Sequence, residues 1–503
     1  MRNEVQLIAY ADRLGGDLAA LARVVREDFA GAFGGVHVLP FFTPFDGADA
    51  GFDPVDHTAV DPRLGTWDDV RDLSQTHDTV VDLIVNHVSA DSAAFQDVRD
   101  RGDESPAASM FLTMSSVFPD GATEEDLARI YRPRPGLPFT PVRLGDRLRY
   151  VWTTFTPQQV DIDVRSEPGA AYLAAVLDAV ASAGVSLVRL DAVGYAVKTS
   201  GTTSFMTPET FAFIGEFTAA ARSRGVDVLV EVHSHYERQV EIGRSVDLVY
   251  DFALPPLVLH ALYTGDPDAL VDWLRARPRN AVTVLDTHDG IGVIDVGPDQ
   301  TVGPGEAERP GLLTPAQIDE LVEGIHARTL GASEAATGAA ASNLDLYQVN
   351  STFYDALGRD DVRYLAARAI QLFTPGIPQV YYVGALAGHN DVELLERTGV
   401  GRDVNRHSYT ADEVSAALDR PVVRALLDLC RFRNALPAFD GDVEVSSDGS
   451  VLRLVRRGVQ VPDAVARLEV DLASGAVQLE WDGPSGAGRT HDLLADAPVT
   501  GPR

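Results

Sequence analysis

Val185-Ser186-Leu187-Val188-Arg189-Leu190-Asp191 is a short apolar run that stops on an acid. It follows a segment in which Tyr172, Leu173, Val176, Leu177 and Val180 fall on one helical face. A run apolar on both faces suits a strand buried in a parallel sheet, and the preceding stripe suits a helix lying on that sheet. The same kind of run recurs at Val5 to Tyr10, Val36 to Phe42, Val80 to His87, Val226 to His233, Leu248 to Leu254, Val282 to Asp286 and Ile377 to Val383. Longer segments separate these runs. One of them opens a helix with Thr207 as cap and Pro208 in the first turn. Eight strands alternating with helices predict an α/β fold, a closed (β/α)8 TIM barrel whose chemistry collects at the carboxyl ends of the strands.

Two gaps between strands are too long for ordinary loops. Residues 89–163, with turns such as Arg132-Pro133-Arg134-Pro135-Gly136, read as a small inserted domain. Residues 290–350, with a helix expected near Ala316 to Arg328, read as a second inserted lid. The barrel then comprises 1–88, 164–289 and 351–436. In 437–503 the pattern changes: Ala466, Leu468, Val470 and Leu472 alternate with Arg467, Glu469 and Asp471, and Asp448-Gly449 marks a turn. A C-terminal antiparallel β domain is expected there.

The 503 residues carry 42 Lys plus Arg against 74 Asp plus Glu, a formal net charge of −32. Such a field repels polyanions, so nucleic acid and anionic membrane are excluded as partners. The longest apolar stretch, around Leu248 to Tyr263, is broken by Asp251, Pro255, Pro256 and His260, and the start has no secretory pattern. Cys430 is the single cysteine, which precludes an internal disulfide and fits a reducing cytoplasm.

Three carboxylates stand at or just beyond predicted strand ends: Asp191, Glu231 in Leu229-Val230-Glu231-Val232-His233, and Asp289 in Asp286-Thr287-His288-Asp289. Strand-end positions in a barrel converge on one cavity. Cleaving a glycosidic bond needs an acid for the leaving oxygen and a carboxylate to meet the positive charge growing at the anomeric carbon. A third carboxylate near sugar hydroxyls can strengthen its hydrogen bonds as the ring flattens. Arg189, two residues before Asp191, projects to the same side and is expected to keep that carboxylate ionised.

Four ordered stretches, Asp82-Leu83-Ile84-Val85-Asn86-His87, Val188-Arg189-Leu190-Asp191, Glu231-Val232-His233 and Thr287-His288-Asp289, resemble the motifs of the α-amylase superfamily of glycoside hydrolases and transglycosidases. Within it the chain resembles the sucrose phosphorylase subfamily over nearly its whole length. The subfamily likeness rests on 44–52, 340–348 and 401–407. The resemblance implies Asp191 as nucleophile, Glu231 as acid and base, and Asp289 as transition-state stabiliser. It places Asp49, Phe52, His87, Phe155, Gln159, Arg189, Tyr195, His233, His288 and Arg402 around the substrate. Tyr131, Pro133, Arg134, Asp345, Leu346, Tyr347 and Gln348 fall on the acceptor and phosphate side. It further implies sucrose and inorganic phosphate as substrates, glucose 1-phosphate and fructose as products, a homodimer, and neither metal nor cofactor. Phosphorylases of sucrose 6′-phosphate, glucosylglycerol or glucosylglycerate share the glucosyl half of such a site. A sucrose hydrolase or α-glucosidase is the other alternative.

Overall fold

The computed structural model describes residues 1–44, 49–132, 136–299, 309–339, 348–484 and 486–496. Eight parallel strands close into a barrel: β1 (Gln6–Ala9), β2 (Gly35–Val38), β3 (Asp78–Ile84), β4 (Leu187–Asp191), β5 (Asp227–Val230), β6 (Leu248–Asp251), β7 (Ala281–Thr283) and β8 (Ile377–Tyr381). Each lies inside or beside one of the eight apolar runs of the sequence. β8 returns to β1 with Gln379 opposite Gln6, which closes the ring.

Helices cover the outside through the apolar stripes expected of them. In the helix Glu167–Ser182, Ser166 accepts from the Gly169 N–H as cap, and Leu173, Val176, Leu177 and Val180 are buried against the barrel. Each such side chain contributes about 1.5–3 kcal/mol on leaving water. The helix Pro208–Arg222 begins as the sequence indicates, with the Thr207 hydroxyl accepting from the Thr210 N–H. Entry into β8 needs a glycine: Gly376 has φ 118°, and a Cβ there would lie 2.2 Å from the Ala281 carbonyl oxygen.

Register decides which side chains meet at the mouth. Arg189 of β4 pairs with Asp82 of β3, and Leu190 pairs with Val230 of β5. Asp191 therefore ends its strand level with Glu231, the first residue beyond β5. Several runs read longer than the strands they contain. β5 stops at Val230 and β6 at Asp251, where the Asp251 carboxylate accepts from the Leu254 N–H of the next helix, from Trp273 Nε1 at 2.8 Å and from Arg277 Nε at 2.6 Å.

Between β3 and β4 the chain forms a hairpin of Phe139–Leu144 with Arg147–Trp152, over a small apolar cluster of Leu112, Val117, Phe118 and Trp152. His87–Ser89 pairs with Gln159–Asp161, which draws the two ends of this excursion together at the barrel mouth. The helix Pro315–Arg328 lies in the second long connection. At the end of the chain β9 (Val443–Asp448), β10 (Val451–Arg457), β11 (Val465–Asp471), β12 (Ala476–Asp482) and β13 (Gly488–Thr490) form one antiparallel sheet in sequence order. Ala466, Leu468 and Val470 of β11 are buried and Arg467 is exposed, the alternation seen in the sequence. The sheet packs on the helix Asp361–Phe373. Among the described residues no helix is long and apolar enough to cross a membrane.

Candidate functional site

One buried guanidinium organises the barrel mouth. Arg189, with its side chain 3% exposed, donates to Asp191 Oδ1 at 3.0 Å, contacts Glu231 Oε1 at 2.7 Å, and forms an ion pair with Asp82. Asp82 is held from below by His37 Nε2 at 3.1 Å. Burial would raise the Asp82 carboxyl, but Arg189 and then His37 outweigh it and hold it near 2. Asp191 goes the other way. Burial first and the charge of Glu231 second push its carboxyl well up, and Arg189 offsets only part of this. The sequence places Arg189 beside Asp191, and the fold divides that one positive charge among three carboxylates.

A second ion pair faces the first. Arg402, in the turn Gly401–Asn405, contacts Asp289 Oδ1 at 2.8 Å and Asp49 Oδ1 at 3.9 Å, and Gln159 Nε2 donates to Asp49 Oδ2 at 3.3 Å. The turn is stitched to the loop after β7, because Asn405 Nδ2 donates to the Thr287 carbonyl at 2.9 Å and Arg406 Nε to that of His288 at 3.0 Å. Burial opposes ionisation of Asp289. The guanidinium of Arg402 first, with those of Arg406 and Arg189, overrides it and holds this carboxyl far below the usual range. Asp191 and Asp289 are therefore pushed in opposite directions, Asp289 down by its own guanidinium and Asp191 up by burial and by the neighbouring Glu231.

Rings frame the carboxylates. Phe52 stacks on His288 at 4.7 Å between centroids, and Arg189 lies over the Phe52 ring at 5.5 Å. His87 Nε2 lies 2.9 Å from the Phe52 carbonyl, and its ring meets Phe155 edge-on at 5.5 Å. Burial keeps both His87 and His288 low, the latter at about 3, so both act as neutral hydrogen-bonding rings. Phe155 continues to Tyr195, Tyr195 lies parallel to Tyr131 at 6.3 Å, and Phe205 packs on both tyrosines. His233 stacks on Phe252 and pairs through Nδ1 with Asp295 Oδ2 at 3.0 Å. Gln348 pairs in a short antiparallel strand with Gly292 and donates to Asn350 Oδ1, which sets it beside the loop that carries Asp289. Pro133, Arg134, Asp345, Leu346 and Tyr347 lie outside the described residues.

Sequence reasoning missed Asp295, Asp82 with His37, and Lys198. Lys198 is the only lysine in the chain. Its fully buried ammonium lies 2.6 Å from Asp161 Oδ2 and 2.5 Å from Asn86 Oδ1, and it also donates to the Tyr195 carbonyl. It thereby pins the end of the inserted segment to β3 and to the Tyr195 turn. Its uniqueness among 42 Lys plus Arg was the signal available in the sequence. Among the described residues one trio of metal-capable donors converges, Glu231, His233 and Asp289, with candidate ligand atoms within 4.8 Å of one another. Glu231 Oε1 and Asp289 Oδ1 already face guanidinium groups. The positive charge an ion would bring is in place, and no metal ligand is assigned there.

Such an arrangement resembles known proteins at three levels. The family described as alpha amylase, catalytic domain, matches residues 32–254. A sucrose phosphorylase of Bifidobacterium adolescentis is 56% identical over 99% of this chain and 100% of its own length, and one of Agrobacterium vitis is 60% identical over 89% and 91%. The crystal structure of sucrose 6F-phosphate phosphorylase from Thermoanaerobacter thermosaccharolyticum superposes with a TM-score of 0.88 at 36% identity, covering 98% of each chain. Identity of 56% over 99% of this chain, with the amylase catalytic-domain match, makes the chain a member of the sucrose phosphorylase family within the α-amylase superfamily.

Proposed function

We propose that the chain is a sucrose phosphorylase, converting sucrose and inorganic phosphate reversibly into α-D-glucose 1-phosphate and D-fructose with retention at the anomeric carbon. The observation that carries this reading is the sharing of Arg189 by Asp191 and Glu231 on neighbouring strand ends, opposite the Asp289–Arg402 pair. Asp191 attacks the anomeric carbon of the glucosyl ring while Glu231 gives its proton to the departing fructose oxygen. That step starts from an ionised Asp191 and a protonated Glu231, the two roles a retaining pair of carboxyls divides between them. A covalent β-glucosyl ester on Asp191 results. A phosphate oxygen then forms its bond to the anomeric carbon as the ester bond breaks. The electron pair returns to Asp191, and the phosphate's proton returns to Glu231. Two inversions give retention.

Asp289, kept anionic by Arg402, binds glucosyl hydroxyls more strongly as the ring gains charge. Asp49, Phe52, His87, His288 and Arg402 hold that ring, with Phe155, Gln159 and Tyr195 beside it. Tyr131, Gln348 and His233, together with Pro133, Arg134, Asp345, Leu346 and Tyr347, serve the acceptor and phosphate. In a chain of net charge −32 the cations that receive phosphate have to be local ones. In the same reading residues 89–163 and 290–350 are inserted subdomains framing the acceptor side, and the enzyme is a cytoplasmic homodimer. The buried single Cys430 fits a reducing compartment.

Purified protein is incubated with sucrose, with and without phosphate, and glucose 1-phosphate and free glucose are assayed. Phosphate-dependent glucose 1-phosphate as the main product is expected. Free glucose alone would replace the reading with a hydrolase.

A further inference from the structure

Both ring nitrogens of His233 face carboxylates. Nδ1 lies 3.0 Å from Asp295 Oδ2 and Nε2 lies 3.9 Å from Glu231 Oε1. The ring is fixed by stacking on Phe252 at 3.8 Å with an interplanar angle of 18°. Asp295 is wholly buried in the turn Ile294–Val296, and its other oxygen accepts from the Ser234 N–H at 3.1 Å and from Gln239 Nε2 at 3.0 Å. A Cβ on Gly292 would come within 2.6 Å of Asp295 Oδ2, so glycine is needed there to leave the pair its room. Gln239 and Ser234 thus aim a buried carboxylate at the back of the imidazole, away from Glu231.

We propose that Asp295 is a positioning residue for phosphate: it holds His233 with Nδ1–H toward itself, so that Nε2 is turned to the space beside Glu231 where the acceptor enters. The inference rests on the phosphorylase reading above. A ring with its proton on Nδ1 and no charge presents a bare lone pair at Nε2, which repels a phosphate oxygen. The imidazolium presents a donor and a positive charge. The groups around the ring favour the charged form. Asp295 reaches it from the turn after β7, Glu231 from the end of β5 and Asp289 from the loop after β7. Phe252, beyond β6, is uncharged, and Arg189 is engaged on Glu231 Oε1. Burial works against a charged ring, but Asp295 first, then Glu231 and Asp289, outweigh it and push His233 above its ordinary value. After fructose leaves, Glu231 is a carboxylate, and an imidazolium beside it offsets the repulsion that an incoming phosphate would meet.

Asp295→Asn keeps the shape but removes the charge. Initial rates are measured with saturating sucrose over a range of phosphate and pH, alongside sucrose hydrolysis without phosphate. Phosphate use falls as pH rises through the His233 titration, and this fall moves to lower pH in the variant. At neutral pH kcat/KM for phosphate drops by about tenfold or more, the factor carried by a hydrogen bond to a charged group, while hydrolysis stays within about threefold. Parallel loss of both activities with an unmoved pH profile means that Asp295 is only structural and overturns the inference. Should the variant not fold, nitrogen NMR of the wild-type histidines, assigned with His233→Gln, decides. A charged His233 ring at neutral pH supports the inference, and a neutral ring protonated on Nε2 overturns it. Absence of glucose 1-phosphate from the wild type itself would instead reject the phosphorylase reading.

Discussion

Arg402→Ala removes the guanidinium that faces Asp289. The pair stands at 2.8 Å, with the Arg402 side chain 26% exposed and Asp289 10% exposed, so the loss is that of one charge-assisted hydrogen bond in a mostly dry site, about 2 kcal/mol. The turn should survive, because Asn405 and Arg406 hold its backbone partners on the loop after β7. If Asp289 works chiefly in the transition state, about 2 kcal/mol appears as about a 30-fold fall in kcat/KM for sucrose. The pH dependence has a definite sign. The ionised form of a carboxyl held far down persists into acid and is lost only as pH falls through its own low value. Without Arg402 the Asp289 carboxyl rises, so activity in acid is lost at a higher pH than in the wild type. Initial-rate phosphorolysis across the acid range measures both effects. A variant within about threefold of wild type with an unmoved acid limb would refute the assignment of Arg402 to Asp289.

Asp191→Asn should abolish glucosyl transfer, by about a thousandfold or more, with the thermal unfolding profile kept; ordinary turnover would remove Asp191 from the nucleophile role. Lys198→Met leaves the buried Asp161 carboxylate and Asn86 without their cation and should cost about 3–5 kcal/mol in chemical denaturation. Lys198→Arg should not restore it, because three oxygens converging on one point suit a compact ammonium rather than a planar fork. A stability unchanged by either substitution would show that the tie bears no load.

Where the sequence revealed the fold, it did so through strands buried on both faces. Their apolar, β-branched runs cannot be mistaken for solvated segments, and all eight became barrel strands. Strand ends were harder to place. The run from Val226 to His233 continues in apolar character past β5, but the backbone leaves the sheet after Val230 to set Glu231 and His233 on the rim. Strand-end carboxylates were legible because each follows an apolar run. The groups that tune them were not. Asp82 reads as one acid within a strand, and only the β3–β4 register brings it to Arg189. Asp295 reads as a loop acid between Ile294 and Val296, and only the fold carries it to His233. The direction of the Asp191 shift depends on how many carboxylates share one cation, a count that exists only in three dimensions.

The most direct test is to look for glucose on the enzyme. The Glu231→Gln variant is supplied with α-glucosyl fluoride, whose leaving group needs no acid, then quenched without phosphate, digested and analysed by tandem mass spectrometry. A single glucosyl unit on the peptide containing Asp191, lost when phosphate is added before quenching in the wild type, is the predicted result. A peptide map with no such adduct, or with the sugar on another residue, would contradict the double displacement.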